Sequence, residues 1–295
     1  MTTPNIDLGR FGVFSWDPAS SFLDLGLAVT PDQAQEIERL GYRTLWVTGS
    51  PAAELSFAEP LLESTTALKV ATGIVNIWTA DAKTVAASFH RINTAHPGRF
   101  VLGIGAGHPE HTEQYRKPYD ALVDYLDELD EYGVPANQRV LAALGPRVLR
   151  LAAGRAAGAH PYNTTPEHTA QAREIIGPNA LLAPEHKVLP LADAEEALAV
   201  GRKVLNQYNY LNLTNYVNNF KRLGFTDADL TPPGSDKFIA ALIAHGTPDE
   251  IANRLREHPR AGANHVVIQV IGGTDKLLPT LTELAGPLGL KARAA

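Results

Sequence analysis

A chain of 295 residues, 44% hydrophobic and 20% charged, has enough apolar material for a sizeable core and is not disordered in composition. Its formal net charge of -6 offers no global attraction to nucleic acid or to an anionic membrane, so neither is expected as a partner. The absence of cysteine excludes disulfides, thiolate metal sites and a cysteine nucleophile. No stretch nears the roughly 20 apolar residues that cross a bilayer. The first residues also lack a basic segment leading into an apolar run, so a cytoplasmic location is expected.

Short apolar runs alternate with longer amphipathic ones. Phe11–Phe14 reads as a first strand. Thr30–Leu40 reads as a helix capped by Thr30, with Pro31 in its first turn and Ala34, Ile37 and Leu40 on one face. Thr44–Val47 is a second strand, and Leu68–Ile77 contains a third. A helix over Asp81–Ala95 leads to a fourth strand, Arg99–Ile104. His108–Tyr132 reads as largely helical, and Val140–Leu144 as a fifth strand. A helix opens at Gly145-Pro146, Gly158-Ala159-His160 holds the sixth strand, and a helix follows Thr165-Pro166. The run LLAPEHKVLPLA contains the seventh strand. Helical segments are predicted over Ala192–Leu205, Tyr208–Leu223, Ser235–Ala244 and Glu250–His258. Ala263–Val270 holds the eighth strand, and a closing helix starts near Asp275.

Eight strands separated by helices match an α/β fold, the (β/α)8 TIM barrel, with an open doubly wound sheet as the competing arrangement. No linker divides the chain, so one domain over residues 1–295 is expected. Ala192–His258 is long for a single crossover and is expected to pack extra helices at one end of the barrel.

Reactive residues of such a barrel stand at the carboxyl ends of its strands. That rule selects Phe14-Ser15-Trp16, Gly49-Ser50, Asn76-Ile77-Trp78, Gly105-Ala106-Gly107-His108, Leu144-Gly145, His160-Pro161-Tyr162 and Gln269, and passes over Arg99. In VLGIGAGHPEH, three glycines either let backbone approach a phosphate or relieve crowding at a tight strand end. His108 is placed to exchange a proton, or else is a solvated loop histidine. His108 and His111 lack a third ligand at a recognisable spacing, so no metal is expected. His160 can contact a phosphate or carboxylate, or sit satisfied in the core. Gly73 inside a strand points to backbone that comes close to a ligand. Trp16, Trp78 and Tyr162 can line an aromatic pocket or serve packing.

Several blocks in order, among them TLWVTGSP, VATGIVNIW, FHRINTAHPGRFVLGIGAGH, LAALGPRVLRLAAGRAAGAHPYNTTPEHT and GANHVVIQV, resemble the bacterial luciferase-like monooxygenase superfamily, particularly its coenzyme F420-dependent oxidoreductases. The resemblance implies a luciferase-like TIM barrel with helical insertions and a deazaflavin at its carboxyl face. It places a nonprolyl cis peptide at Gly73-Ile74, beside Val75 and Asn76, behind the central ring. Ala106, Gly107 and His108, with Gly158, Ala159 and His160, fall on its phosphate-side loops, and Leu144 and Gly145 approach the cofactor. Arg147 and His160 are further candidates for the anionic tail. Where one branch has an Asp-His pair this sequence has Gly49-Ser50, and His108 stands where that branch has an acidic proton donor.

The resulting expectation is an F420-dependent enzyme that moves a hydride between deazaflavin C5 and a small organic substrate, with His108 as the catalytic proton-transfer group. Trp16, Ser50, Trp78 and Tyr162 are expected as substrate-pocket walls. An FMN-dependent monooxygenase and a noncatalytic flavin-binding protein are the alternatives. The resemblance also implies a homodimer.

Overall fold

Thr30 does begin the first helix. Its hydroxyl accepts from Gln33 N at 3.2 Å, Gln33 Oε1 accepts from Thr30 N at 2.9 Å, and Pro31 takes the first turn, where no N–H is needed. Asp81 and Thr165 cap two later helices by accepting from the N–H groups of Thr84 and His168, so these starts are set by local chemistry.

The computed structural model describes residues 6–16, 29–107 and 117–292. The chain opens with β1 (Phe11–Trp16), α1 (Pro31–Arg39), β2 (Thr44–Thr48), α2 (Ala58–Glu63) and β3 (Lys69–Thr72). Next come β4 (Val75–Asn76), α3 (Ala82–Ala95), β5 (Phe100–Gly105), α4 (Pro118–Glu131), β6 (Arg139–Leu141), α5 (Pro146–Arg155), β7 (Gly158–Ala159) and α6 (Pro166–Ile176). β8 (Leu181–Leu182) and β9 (Glu185–Leu189) lead into α7 (Ala194–Gln207), α8 (Thr214–Arg222), α9 (Asp227–Leu230) and α10 (Asp236–Leu242). β10 (Ile243–His245), α11 (Pro248–Leu255), α12 (Glu257–Arg260), β11 (Val266–Val270) and α13 (Leu277–Ala285) complete it.

The described pairings are parallel and run β11-β1-β2-β3-β5-β6-β7-β8. The backbone N–H groups of Leu181, Ala183 and Glu185 donate to the carbonyls of Ala157, Ala159 and Pro161, so β8 and β9 form one run beside β7. The opposite edge of that run pairs with β11, and the sheet returns on itself. This is the (β/α)8 arrangement with a helical insertion between β9 and β10. Apolar residues on both faces explain it. Ile37, Val85, Phe89, Leu126 and Leu149 bury the helices against the sheet, while Phe14, Trp46, Ala71, Val101, Val140 and Val267 fill the interior. No described helix is long and apolar enough to cross a membrane.

Some elements differ from the sequence reading. Ser235–Ala244 is not helical throughout: the helix ends at Leu242, and Ile243–His245 joins the sheet, with Ile243 opposite Lys187 and His245 opposite Leu189. Helical α2 and α9 stand where no element was read. The extra helices expected after the seventh strand are present. α7, α8 and α10 enclose their own core of Leu205, Tyr216, Phe220, Phe238 and Leu242.

The third stave is interrupted. Ala71 pairs with Val101 and Val75 with Ile104, so four steps along one strand meet three along the other, a bulge. Thr72 bridges the gap: its hydroxyl accepts from Gly103 N and donates to Gly103 O, both at 2.7 Å. A Cβ on Gly103 would stand 1.8 Å from the Thr72 carbonyl oxygen, so no other residue fits there. Within the bulge the Gly73-Ile74 peptide bond is cis.

Candidate functional site

The bulge opens at the carboxyl mouth of the barrel, where Gly73, Ile74, Asn76 and Trp78 are half-buried among neighbours that are mostly sealed. Beneath Gly73, a Cβ would meet Phe14 at 3.0 Å, His160 Nε2 at 3.6 Å and Trp46 at 3.7 Å. The ring of His160 stacks on Trp46 with centroids 4.2 Å apart. Trp46 Nε1 in turn donates to His265 Nε2 at 3.1 Å. Burial lowers the His160 pKa to about 4, against the opposing pull of its bond to Ala183, so the ring is neutral. Its Nδ1–H donates to Ala183 O at 2.7 Å, which leaves Nε2 a buried acceptor with no partner among the described residues. A neutral imidazole with that tautomer does not attract a phosphate or carboxylate.

Ile74 packs against the backbone of Gly105, where a Cβ would stand 3.0 Å from both its Cγ1 and its Cδ1, and 3.0 Å from Ala142. Asn76 Oδ1 accepts from Trp78 N at 3.1 Å, and Trp78 Nε1 donates to Ala106 O at 2.6 Å. Gly107 has φ +58 and lies against Asn76 Nδ2, so the turn leaving β5 needs a residue without a side chain. Gly73, Ile74, Asn76, Trp78, Ala106 and Gly107 therefore form one continuous surface. Leu144 and Gly145 follow β6, and Leu144 O accepts from His168 Nε2 at 3.0 Å.

Val75 and Ala159 are buried in the core shared by sheet and helices. Gly158 permits close strand approach, since a Cβ there would stand 1.9 Å from Leu181 O. Ser50 is exposed beyond β2 with φ +54. Trp16 ends β1 opposite Thr48, and its side chain lies outside the described residues, as do His108 and His111. Arg147 is engaged by α4, stacking 3.5 Å over Tyr119 and facing Asp120 at 3.5 Å.

Tyr162 walls the mouth and is held on every side. Its ring stacks on Phe14 at 5.4 Å, and the Lys187 ammonium lies 4.1 Å over it. Its hydroxyl donates to Gln269 Oε1 at 3.0 Å and meets the Tyr210 hydroxyl at 3.0 Å. Lys187 is anchored by Asn163 Oδ1 and by Glu185, whose Oε1 is 3.2 Å away. Glu185 Oε2 also accepts from Asn163 N at 3.0 Å. Asn163 adopts the left-handed conformation, which asparagine tolerates well. Burial pushes the Tyr162 phenol far up, with Tyr210 and Glu185 adding to it, so Tyr162 is a neutral donor and not a base. Trp46, Asn163, Glu185, Lys187 and Tyr210 were missed in the sequence. Glu185 and Lys187, two residues apart in an apolar strand, were the available signal, because they must share a face.

Residues 10–132 match the family model for luciferase-like monooxygenases. No curated protein matches the sequence. An F420-dependent secondary alcohol dehydrogenase in complex with an F420-acetone adduct matches with a TM-score of 0.70 at 14% identity, over 95% of this chain and 98% of that one. The coenzyme F420-dependent tetrahydromethanopterin reductase of Methanopyrus kandleri matches with a TM-score of 0.65 at 13% identity, over 96% and 99%. The oxygenating constituent of 3,6-diketocamphane monooxygenase from Pseudomonas putida, a type II Baeyer-Villiger enzyme in complex with FMN, matches with a TM-score of 0.68 at 13% identity, over 96% and 97%. The luciferase-like monooxygenase superfamily, F420-dependent oxidoreductases included, thus stands among the structural matches, which divide between F420 and FMN enzymes.

Proposed function

We propose that this luciferase-like chain is an oxidoreductase that binds a tricyclic flavin-type ring against the Gly73-Ile74 bulge. The observation that carries the reading is the bulge itself: it leaves a largely apolar floor half-open at the barrel mouth, over an interior sealed by Phe14, Trp46 and His160. The residues fit such a ring. Gly73 offers bare backbone, Ile74 and Leu144 offer apolar flanks, and Asn76 and Trp78 are fixed by hydrogen bonds before any ligand arrives. A bound ring supplies hydride exchange if it is a deazaflavin, or oxygen activation if it is a flavin.

The protein's own part is to orient the partners and keep water out. Tyr162, clamped between Phe14 and Lys187, gives the substrate a rigid aromatic wall that does not have to be ordered on binding. His108 follows Gly107 directly in the chain, and we assign it proton transfer to or from the substrate. F420 is the cofactor we propose on the sequence blocks. FMN is the second reading, favoured by the monooxygenase family model and by the match to an FMN complex.

Parallel fluorescence titrations of the purified chain with F420 and FMN decide between them. Saturable binding of one ring supports the reading and selects the cofactor. Binding of neither refutes it. Tight binding with no turnover on any acceptor supports a carrier instead of an enzyme. With the ring bound, His108→Ala is expected to slow turnover at least about tenfold with little change in cofactor affinity.

A further inference from the structure

Strand β11 brings to the mouth a side chain that is only half used. Val267 faces the barrel interior and Ile268 packs under the helices, so Gln269, next in alternation, faces inward at the carboxyl end. It is 4% exposed and lies opposite Lys187 of β9. Its Oε1 accepts from the Tyr162 hydroxyl at 3.0 Å. Its Nε2 donates to nothing among the described residues, yet it is not one of the sealed orphan atoms of the interior, so it keeps an opening on the mouth. A buried amide with idle N–H donors calls for an acceptor.

The amide is held one way round. Burial pushes the Tyr162 and Tyr210 phenols up, so each keeps its single proton. Among the described residues the Tyr210 hydroxyl has one acceptor, the Tyr162 oxygen at 3.0 Å. Tyr162 must then donate to Gln269, and turning the amide over would leave the Tyr210 proton without an acceptor. Gln269 also stands beside the ring floor. Phe14 joins the two, with Cε2 3.0 Å from where a Cβ on Gly73 would be and its ring stacked on Tyr162 at 5.4 Å. Charge in this layer is already answered: Lys187 pairs with Glu185, and burial keeps His160 neutral. Fixed amide donors beside a rigid aromatic wall match an uncharged oxygen acceptor, and a carboxylate would enter without a counter-charge from this layer.

We propose that Gln269 determines which substrates the mouth accepts, by donating from Nε2 to the carbonyl oxygen of an uncharged organic ligand. The assignment rests on the ring-binding reading above and adds the chemical class of its substrate. A carbonyl of the ring offers the same acceptor, and isotope labelling tells the two apart.

The probe is cyclohexanone carrying carbon-13 at its carbonyl, added to the full chain loaded with whichever ring binds. Isotope-edited infrared difference spectra follow its carbonyl stretch. On the native chain the stretch is expected to lie well below its frequency in hexane. Gln269→Met keeps the length of the side chain and removes both donors. There the stretch is expected to return towards the hexane value, and the affinity to fall about two- to tenfold. No binding of the ketone, an unshifted stretch on the native chain, or the same stretch on both chains overturns the assignment. So does a shift confined to carbon-13 carbonyls placed in the ring. Cyclohexanecarboxylate is expected to bind at least about tenfold more weakly than cyclohexanone, and equal binding overturns the uncharged class. If Gln269→Met does not fold, Tyr162→Phe decides: it leaves the donors but frees the amide to turn, so the shift should shrink, and an unchanged shift overturns the assignment. If no ring binds the native chain, the ring reading fails. The Gln269 assignment then stands only if the ring-free native chain shows the shift and Gln269→Met loses it.

Discussion

Replacing Lys187 with methionine asks what the polar layer beneath Tyr162 is worth. Methionine keeps most of the stem and removes the charge. In the native chain Lys187 Nζ lies 3.2 Å from Glu185 Oε1 and 3.4 Å from Oε2, and both side chains are 1% exposed. After the substitution Glu185 retains the Asn163 N–H at 3.0 Å but has no cation. Stranding one member of a buried pair costs about 3–5 kcal/mol. With an unfolding entropy of about 2.1 cal/mol/K per residue, that loss lowers the melting temperature of a 295-residue chain by about 5–8 °C. Burial pushes the Glu185 carboxyl up and the Lys187 ammonium down, so each charge is disfavoured except for its partner. The double variant Glu185→Gln/Lys187→Met strands neither charge and is expected to lie within about 1.5 kcal/mol of native. The urea midpoint at pH 7 measures the two single variants, Lys187→Met and Glu185→Gln, and the double variant, and the cycle should show coupling of at least about 2 kcal/mol. A carboxyl whose folded-state value lies above its unfolded one loses stability as pH rises, so the single variant's deficit should shrink from pH 8 to pH 5. Additive losses in the double variant would refute the reasoning.

Glu38 is expected to stabilise the opposite face of the barrel. Its carboxylate accepts from the N–H groups of Thr66, Ala67 and Leu68 at 2.9, 2.5 and 2.7 Å. Burial pushes this carboxyl up, but those N–H groups outweigh it and hold the pKa below the usual value. Glu38→Gln should cost about 2–3 kcal/mol at pH 7 by urea unfolding, with a deficit that fades as pH falls below about 4. Acid should also loosen the chain through its histidines. Burial holds His160, His168 and His265 at about 4 and His258 at about 3, so these side chains stay neutral while the chain is folded. Each then takes up a proton on unfolding once pH drops below its unfolded value near 6.5, adding a slope of about 1.4 kcal/mol per pH unit. A urea midpoint that stays level between pH 7 and pH 5.5 would contradict this.

The staves of the barrel were legible because their apolar runs are separated by cap and turn residues such as Thr30, Gly41, Asp81 and Thr165. Glycine inside a strand likewise pointed to the bulge at Gly73. Ile243–His245 was not legible, because three residues after a helical pattern look like its last turn until a partner strand is known. Long-range contacts were beyond the sequence for the same reason. Nothing local joins Trp46 to His265, or Arg222 to Gly145, although each pair meets in the fold. Val75 and Ala159 share the site's segments but face the helices, because alternate residues of a strand take opposite sides.

The way β10 lies against β9 has a mechanical consequence. The insertion leaves the barrel after Leu189 and returns at Ile243, and those two points are adjacent strands of one sheet, with His245 opposite Leu189. Both feet of the roof therefore stand on the same rigid beam. Helices that supply Tyr210 and Arg222 cannot swing about a loose hinge at either foot without parting a ladder of backbone hydrogen bonds. Widening the mouth for a ligand must draw on the roof's internal joints, between α7 and α10, and not on its attachment to the barrel.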